Sequence, residues 1–147
     1  MSYKHILALT DFSEYSKKAI EEAANIARCQ GSKLTVLHVA HDQSQFQLYI
    51  NEEQYKEIKK KISVEIEDKF NKLEDDVPAL KDIDWESNIR RGTPYIESLY
   101  EIESGDYDIV VLGSHGDGGF KRIVHGSTAG KILRHCPISV LITKISK

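Results

Sequence analysis

The chain has 147 residues, with 20 Lys and Arg set against 23 Asp and Glu for a net charge of −3. That length is enough for one ordinary domain with its own core, stable without disulfides or metal. The balanced charge offers no basic stripe to attract nucleic acid, and no apolar run approaches the roughly 20 residues that span a bilayer, so neither nucleic acid nor membrane is an expected partner. Met1-Ser2-Tyr3-Lys4 leads straight into a strand-like run and not into a signal peptide, which makes the cytoplasm the expected location. Cys29 and Cys136 have neither metal-ligand spacing nor a disulfide framework, and read as reduced structural thiols.

Tyr3 to Leu9 is a short β-type run ending at Thr10-Asp11. A helix pattern follows from Glu14 to Gln30, with Ser13 as N-cap and Gly31 just past the end. Within it Ala19, Ile20, Ala23, Ala24, Ile26 and Ala27 make a narrow stripe suited to close packing on a sheet. Lys33 to Val39 is a second strand, and His41 to Ile50 has no clear period. From about Asn51 to Leu73 the spacing of Tyr55, Ile58, Ile62, Ile66, Phe70 and Leu73 is helical, with lysines and glutamates between. Lys72 to Asp84 is polar, contains Pro78 and reads as a connection. Trp85, Ser87 and Ile89 then alternate with polar residues into Arg90, which predicts a third strand.

Gly92-Thr93-Pro94 is a helix start, with Thr93 capping and Pro94 at the first helical position. Ile96, Leu99 and Tyr100 supply the buried side, and the helix should stop near Ser104-Gly105. Ile109 to Leu112 is the fourth strand, Ser127 to His135 the fourth helix, and Ile138 to Ile145 the fifth strand. Strands alternating with helices imply an α/β fold, a three-layer α/β/α sandwich around a five-stranded, mostly parallel sheet. Ligands in such sheets bind beyond the carboxyl ends of the strands, where the strand order reverses. With the order 3-2-1-4-5, that point lies between the first and fourth strands. Thr10-Asp11 and the loop after Leu112 would then line one crevice.

That loop runs Gly113-Ser114-His115-Gly116, passes nine more residues, and continues as Gly126-Ser127-Thr128 into the fourth helix. Glycines let the backbone approach an anion closely, and a helix N-terminus adds unpaired N–H donors, so the expected ligand is a phosphate. It is not a Walker A loop, since no lysine stands between Gly126 and Ser127. The dinucleotide fingerprint also fails, because Gly116-Asp117-Gly118 is followed by Gly119, Phe120 and Lys121 without the third glycine in place.

With Asp11 after the first strand, Val39 at the end of the second, and G-x2-G-x9-G-[ST] after the fourth, the chain resembles the nucleotide-binding branch of the universal stress protein family over essentially its full length. It departs from many relatives at Leu9, where they have proline, a position that bears on the shape of the base pocket. The resemblance implies that Thr10, Asp11 and Val39 face the adenosine side, and that Gly113, Gly116, Gly126, Ser127 and Thr128 hold phosphates; Leu112 and His115 complete the candidate set. It also implies ATP as ligand, with Mg2+ or Mn2+ carried on the phosphates, a relation to the wider adenine-nucleotide α-hydrolase class, and a homodimer through the last strand. Simpler roles stand beside these. Asp11 can be a turn or capping residue, Ser127 or Thr128 a helix cap, and Val39 core. His115 and His125 flank the loop as phosphate or metal contacts or as solvated side chains, and Lys121 and Arg122 either reach terminal phosphates or sit at a solvated tip.

Hydrolysis requires an oriented water and charge stabilisation, and no residue is forced into the role of base. The sequence therefore favours an ATP-binding regulatory protein of the stress response, with at most slow ATP hydrolysis. The competing class is a homodimeric interaction module that keeps the fold without a nucleotide, supported by the apolar run Ile138, Val140, Leu141, Ile142 and Ile145. A small phosphotransfer or hydrolase domain is a third reading.

Overall fold

Asp108 fixes the start of the sheet: its carboxylate accepts the backbone N–H groups of Lys4 and His5 at 2.7 and 3.0 Å. From there a computed structural model, which describes residues 2–42, 44–114 and 127–145, runs as an alternation of strands and helices. Strand β1 (His5–Thr10) leads to α1 (Glu14–Gln30), β2 (Lys33–Ala40), α2 (Glu52–Asn71) and the short α3 (Leu73–Asp76). Then follow β3 (Trp85–Arg91), α4 (Pro94–Ser104), β4 (Ile109–Gly113), α5 (Thr128–His135) and β5 (Ser139–Thr143). The sheet order is β3-β2-β1-β4-β5 and every pairing is parallel, as the alternation of elements predicted.

Local chemistry accounts for the helix ends. Ser13 caps α1 by accepting the N–H of Ser16, and Gly31 ends it in the left-handed region at φ 68°. Asn51 and Gln54 form a reciprocal capping box at the start of α2. The connection after α2 is more ordered than its polar composition suggested. It holds α3 and a 3-10 turn at Pro78–Leu80, because Leu73, Val77 and Leu80 are buried beneath α1. Strand β5 is shorter than Ile138 to Ile145, because its partner β4 has only five residues, from Ile109 opposite Ser139 to Gly113 opposite Thr143.

The two faces of the sheet carry different cores. On one, Ile6, Ala8, Leu34, Val36 and Val111 pack against the alanine stripe of α1 and against Ile66 and Phe70 of α2. On the other, Leu7, Leu9, Leu37, Val110 and Leu112 pack against Ile102 of α4 and Ala129 and Ile132 of α5. This is the period-2 alternation of strands buried on both faces, each large aliphatic side chain contributing about 1.5–3 kcal/mol. The edges differ as well: β3 carries exposed Glu86 and Arg91, whereas Val140, Leu141 and Ile142 of β5 are half-buried aliphatics.

The second face also holds an ionic cluster. Glu101 of α4, 7% exposed, accepts Arg90 Nε at 2.7 Å, Asn88 Nδ2 at 3.0 Å and the Tyr107 hydroxyl at 2.6 Å. Burial pushes its carboxyl up, but the bonds from Tyr107, Arg90 and Asn88 together outweigh burial and hold it below the usual range. The phenol of Tyr107 is pushed well up by burial and by its bond to Glu101. Glu101→Ala leaves three donors without their acceptor and should cost about 2–4 kcal/mol in urea unfolding at neutral pH. A loss no larger than that from breaking the exposed Lys18–Glu22 pair would show that the clasp between α4 and β3 contributes nothing.

Candidate functional site

Strand β1 lies between β2 and β4, so the order reverses beside it and the chain ends there diverge to opposite faces. In the register that pairs Ala8 with Val111, Thr10 comes level with Gly113 two residues on. The carboxyl ends of β1 and β4 therefore lie side by side at one edge of the sheet.

The turn after β1 is tied by its own side chains. Thr10 Oγ1 accepts the N–H of Phe12 at 2.9 Å and lies 2.9 Å from Ser16 Oγ. One carboxylate oxygen of Asp11 accepts both the N–H of Ser13, at 3.0 Å, and its hydroxyl. Asp11 thus braces the start of α1, the simpler role foreseen for it, while remaining half-buried at the mouth of the crevice. Phe12 is held at φ 64°, a left-handed conformation that bulky residues rarely adopt.

His38 was not linked to any partner by the sequence. In the structure its Nδ1 donates to the carbonyl of Thr10 at 2.8 Å, and its ring lies 4.8 Å from that of Phe12. The signal was available: alternation along β2 places His38 on the same face as buried Leu34 and Val36. Burial lowers its pKa, with Lys69 adding to the effect and the bond to Thr10 opposing it.

Val39 and Leu112 belong to the opposite face, packed with the cluster under α4 and α5. Gly113 ends β4 against α1, where an added Cβ would lie 2.8 Å from the carbonyl oxygen of Tyr15. This glycine is demanded by packing whatever else it does. Ser114, buried, donates its N–H to Thr143 at 3.0 Å, and the buried hydroxyl of Thr143 has no hydrogen-bond partner among the described residues. Ser127 caps α5 by accepting the N–H of Gly130 at 3.1 Å, and Thr128 is the first residue of that helix. His115, Gly116 and Gly126 lie outside the described residues, as do Asp117, Lys121, Arg122 and His125. Among the described residues no group of three His, Cys, Asp or Glu is arranged to hold a metal ion, and no helix is long and apolar enough to cross a membrane.

A five-stranded parallel sheet in the order 3-2-1-4-5, covered by helices on both faces and with its switch point between β1 and β4, defines a doubly wound α/β protein. The model of the Universal stress protein family matches residues 2–144, and the chain belongs to that family. It is 28% identical to universal stress protein MJ0577 of Methanocaldococcus jannaschii, over 97% of this chain and 95% of that one. The solved structure of MJ0577 superimposes with a TM-score of 0.83 at 26% identity, covering 100% of this chain and 99% of that one. Universal stress protein UspA from Lactobacillus plantarum shares the fold at a TM-score of 0.78 and 24% identity, covering 97% and 98%. A universal stress protein solved in complex with cAMP shares it at 0.75 and 20%, covering 99% and 100%.

Two outcomes follow from this geometry. Gly113→Ala should destabilise the fold by about 1–3 kcal/mol, because the new methyl meets the backbone of α1 and not a movable side chain; denaturant midpoints measure it, and an unchanged midpoint would mean that α1 can lift away freely. The lowered pKa of His38 means that the unfolded chain binds its proton more readily than the folded one. Stability should therefore be complete above the ordinary value of 6.5 and decline as pH falls from there towards the lowered folded value. His5, also lowered, chiefly by burial, contributes in the same sense. His38→Gln should flatten part of that decline, and an NMR titration of His38 with a midpoint at or above 6.5 would contradict it.

Proposed function

We propose that this chain is an ATP-binding regulatory protein of the stress response, acting in the cytoplasm, with at most slow ATP hydrolysis. The observation that carries the reading is the juxtaposition at the switch point: the Thr10-Asp11 turn ends β1 level with Gly113, which opens the glycine loop leading to the N-terminus of α5. Asp11, short and anionic, accepts hydrogen bonds from ribose hydroxyls. Val39 and Leu112, on the α4 and α5 side, give the base an apolar wall. Gly113, His115, Gly116, Gly126, Ser127 and Thr128 surround the phosphates, where backbone N–H groups and the positive end of α5 attract negative charge. Mg2+ or Mn2+ comes with the phosphates. That a family relative was solved with cAMP supports a nucleotide in this fold and leaves the length of the phosphate chain to experiment.

The second reading, a homodimeric module without a nucleotide, is favoured by one observation: Asp11 and Ser127 already serve as helix-start braces. Both readings share the dimer, which we assign to the apolar edge offered by β5 within Ile138 to Ile145.

Mass spectrometry of nucleotide released from freshly purified protein, followed by calorimetric titration with ATP and Mg2+, separates them. Bound nucleotide or a saturable heat supports the first reading; absence of both sinks it. Gly116→Val or Gly126→Val should abolish the heat while leaving the fold intact, since a branched Cβ blocks backbone approach to phosphate. For the dimer, Val140→Glu should halve the mass in solution, and a monomeric parent protein would defeat that assignment.

A further inference from the structure

On the α1 and α2 side of the sheet, away from Val39 and Leu112, a crevice of about 170 Å³ is lined by Asp11, Phe12, Lys17, Lys69, Lys72 and Asp76. We propose that it binds a small phosphate-type oxyanion at a site separate from the nucleotide position and touching it only at Asp11. This site stands whether or not a nucleotide occupies the switch point.

The charges that line it are unequal in their engagement. Lys17 is 3.3 Å from Asp76 and 3.7 Å from Glu14, so that cation and Asp76 largely neutralise each other. Asp11 is engaged by the N–H and hydroxyl of Ser13. Lys69 and Lys72 form no ion pair among the described residues. They stand three residues apart at the end of α2, where helix geometry makes them neighbours and their like charges repel. An oxyanion between them relieves that repulsion and accepts charge-assisted hydrogen bonds from both ammonium groups.

The wall is rigid. Phe12 is pinned by the Thr10 bond to its N–H, meets Phe70 edge to face at 5.0 Å, and carries the Lys69 ammonium 5.5 Å from its ring centre. Its left-handed backbone is the kind of strain that persists only where the surroundings over-determine it, and that gathers at ligand sites. The crevice has room for a phosphate group with waters beside it.

The test is an NMR titration of the full chain with inorganic phosphate and, separately, with glycerol 3-phosphate, ionic strength being held constant with sodium chloride. The amides of Phe12, Ser13 and Lys72 should shift saturably with at least one of the two, and the tighter binder identifies free phosphate or a phosphate ester as the natural class. The double variant Lys69→Gln, Lys72→Gln should weaken this binding about tenfold or more, and Lys69→Arg, Lys72→Arg should retain it. Glutamine removes the charge at similar helix propensity and is one atom shorter than lysine, and the arginine pair guards against an effect on folding. In Gly116→Val the same shifts should persist, which separates the crevice from the glycine loop. Non-saturable shifts with both ligands, equal affinity in the glutamine variant, or loss of the shifts in Gly116→Val would each overturn the proposal. Failure of ATP to bind the parent protein would overturn the nucleotide reading alone.

Discussion

The closeness with which α1 lies on the sheet governs the rest of the molecule. Ala19, Ala23, Ala24 and Ala27 give the helix a surface with almost no side-chain depth, so its backbone comes down onto β1 and β4. At the N-terminal end this approach leaves no room for a Cβ at Gly113. The same descent sets the turn between β1 and α1, where Thr10, Asp11, Ser13 and Ser16 satisfy one another's polar groups in a few ångströms of chain. A larger residue in the stripe would lift α1 and displace that turn, and with it the mouth of the switch-point crevice.

The opposite face is built on another principle. There α4 adds to its apolar contact through Ile102 an ionic one through Glu101, whose carboxylate gathers donors from β3 and from Tyr107. An apolar contact tolerates small slides, whereas a carboxylate with three directed partners has one position. The sheet is thus gripped by close contact on one side and located by ionic geometry on the other. Its carboxyl edge, where the polar turn after β1 opens, lies between the two.

Much of this was legible in the sequence where the signals are local. The bounds of α1 follow from Ser13 and Gly31, and those of α4 from Pro94 and Gly105, because caps act within a turn of the residue that carries them. Parallel pairing followed from the alternation of elements, whereas the order 3-2-1-4-5 was a supposition that the folded sheet bears out. What escaped depended on partners distant in the chain. The end of β5 is set by the length of β4, and the order within residues 72 to 84 by what α1 covers at Leu73, Val77 and Leu80, in runs too short to show a period. His38 lay hidden for the same reason: its partner is a backbone carbonyl 28 residues away. At the candidate site, the bracing roles of Asp11 and Ser127 were foreseen as alternatives, and only the folded turn shows them realised.

The unlike edges of the sheet limit how copies of this chain can add to one another. Beside β3, an incoming strand would meet the exposed charges of Glu86 and Arg91, and a row of charged residues discourages pairing. Beside β5 it would meet aliphatic side chains. A symmetric pairing of two β5 edges would use up the receptive side of both sheets and leave charged strands facing outward. Such an assembly would terminate itself at two copies, and the same asymmetry would prevent a fibre.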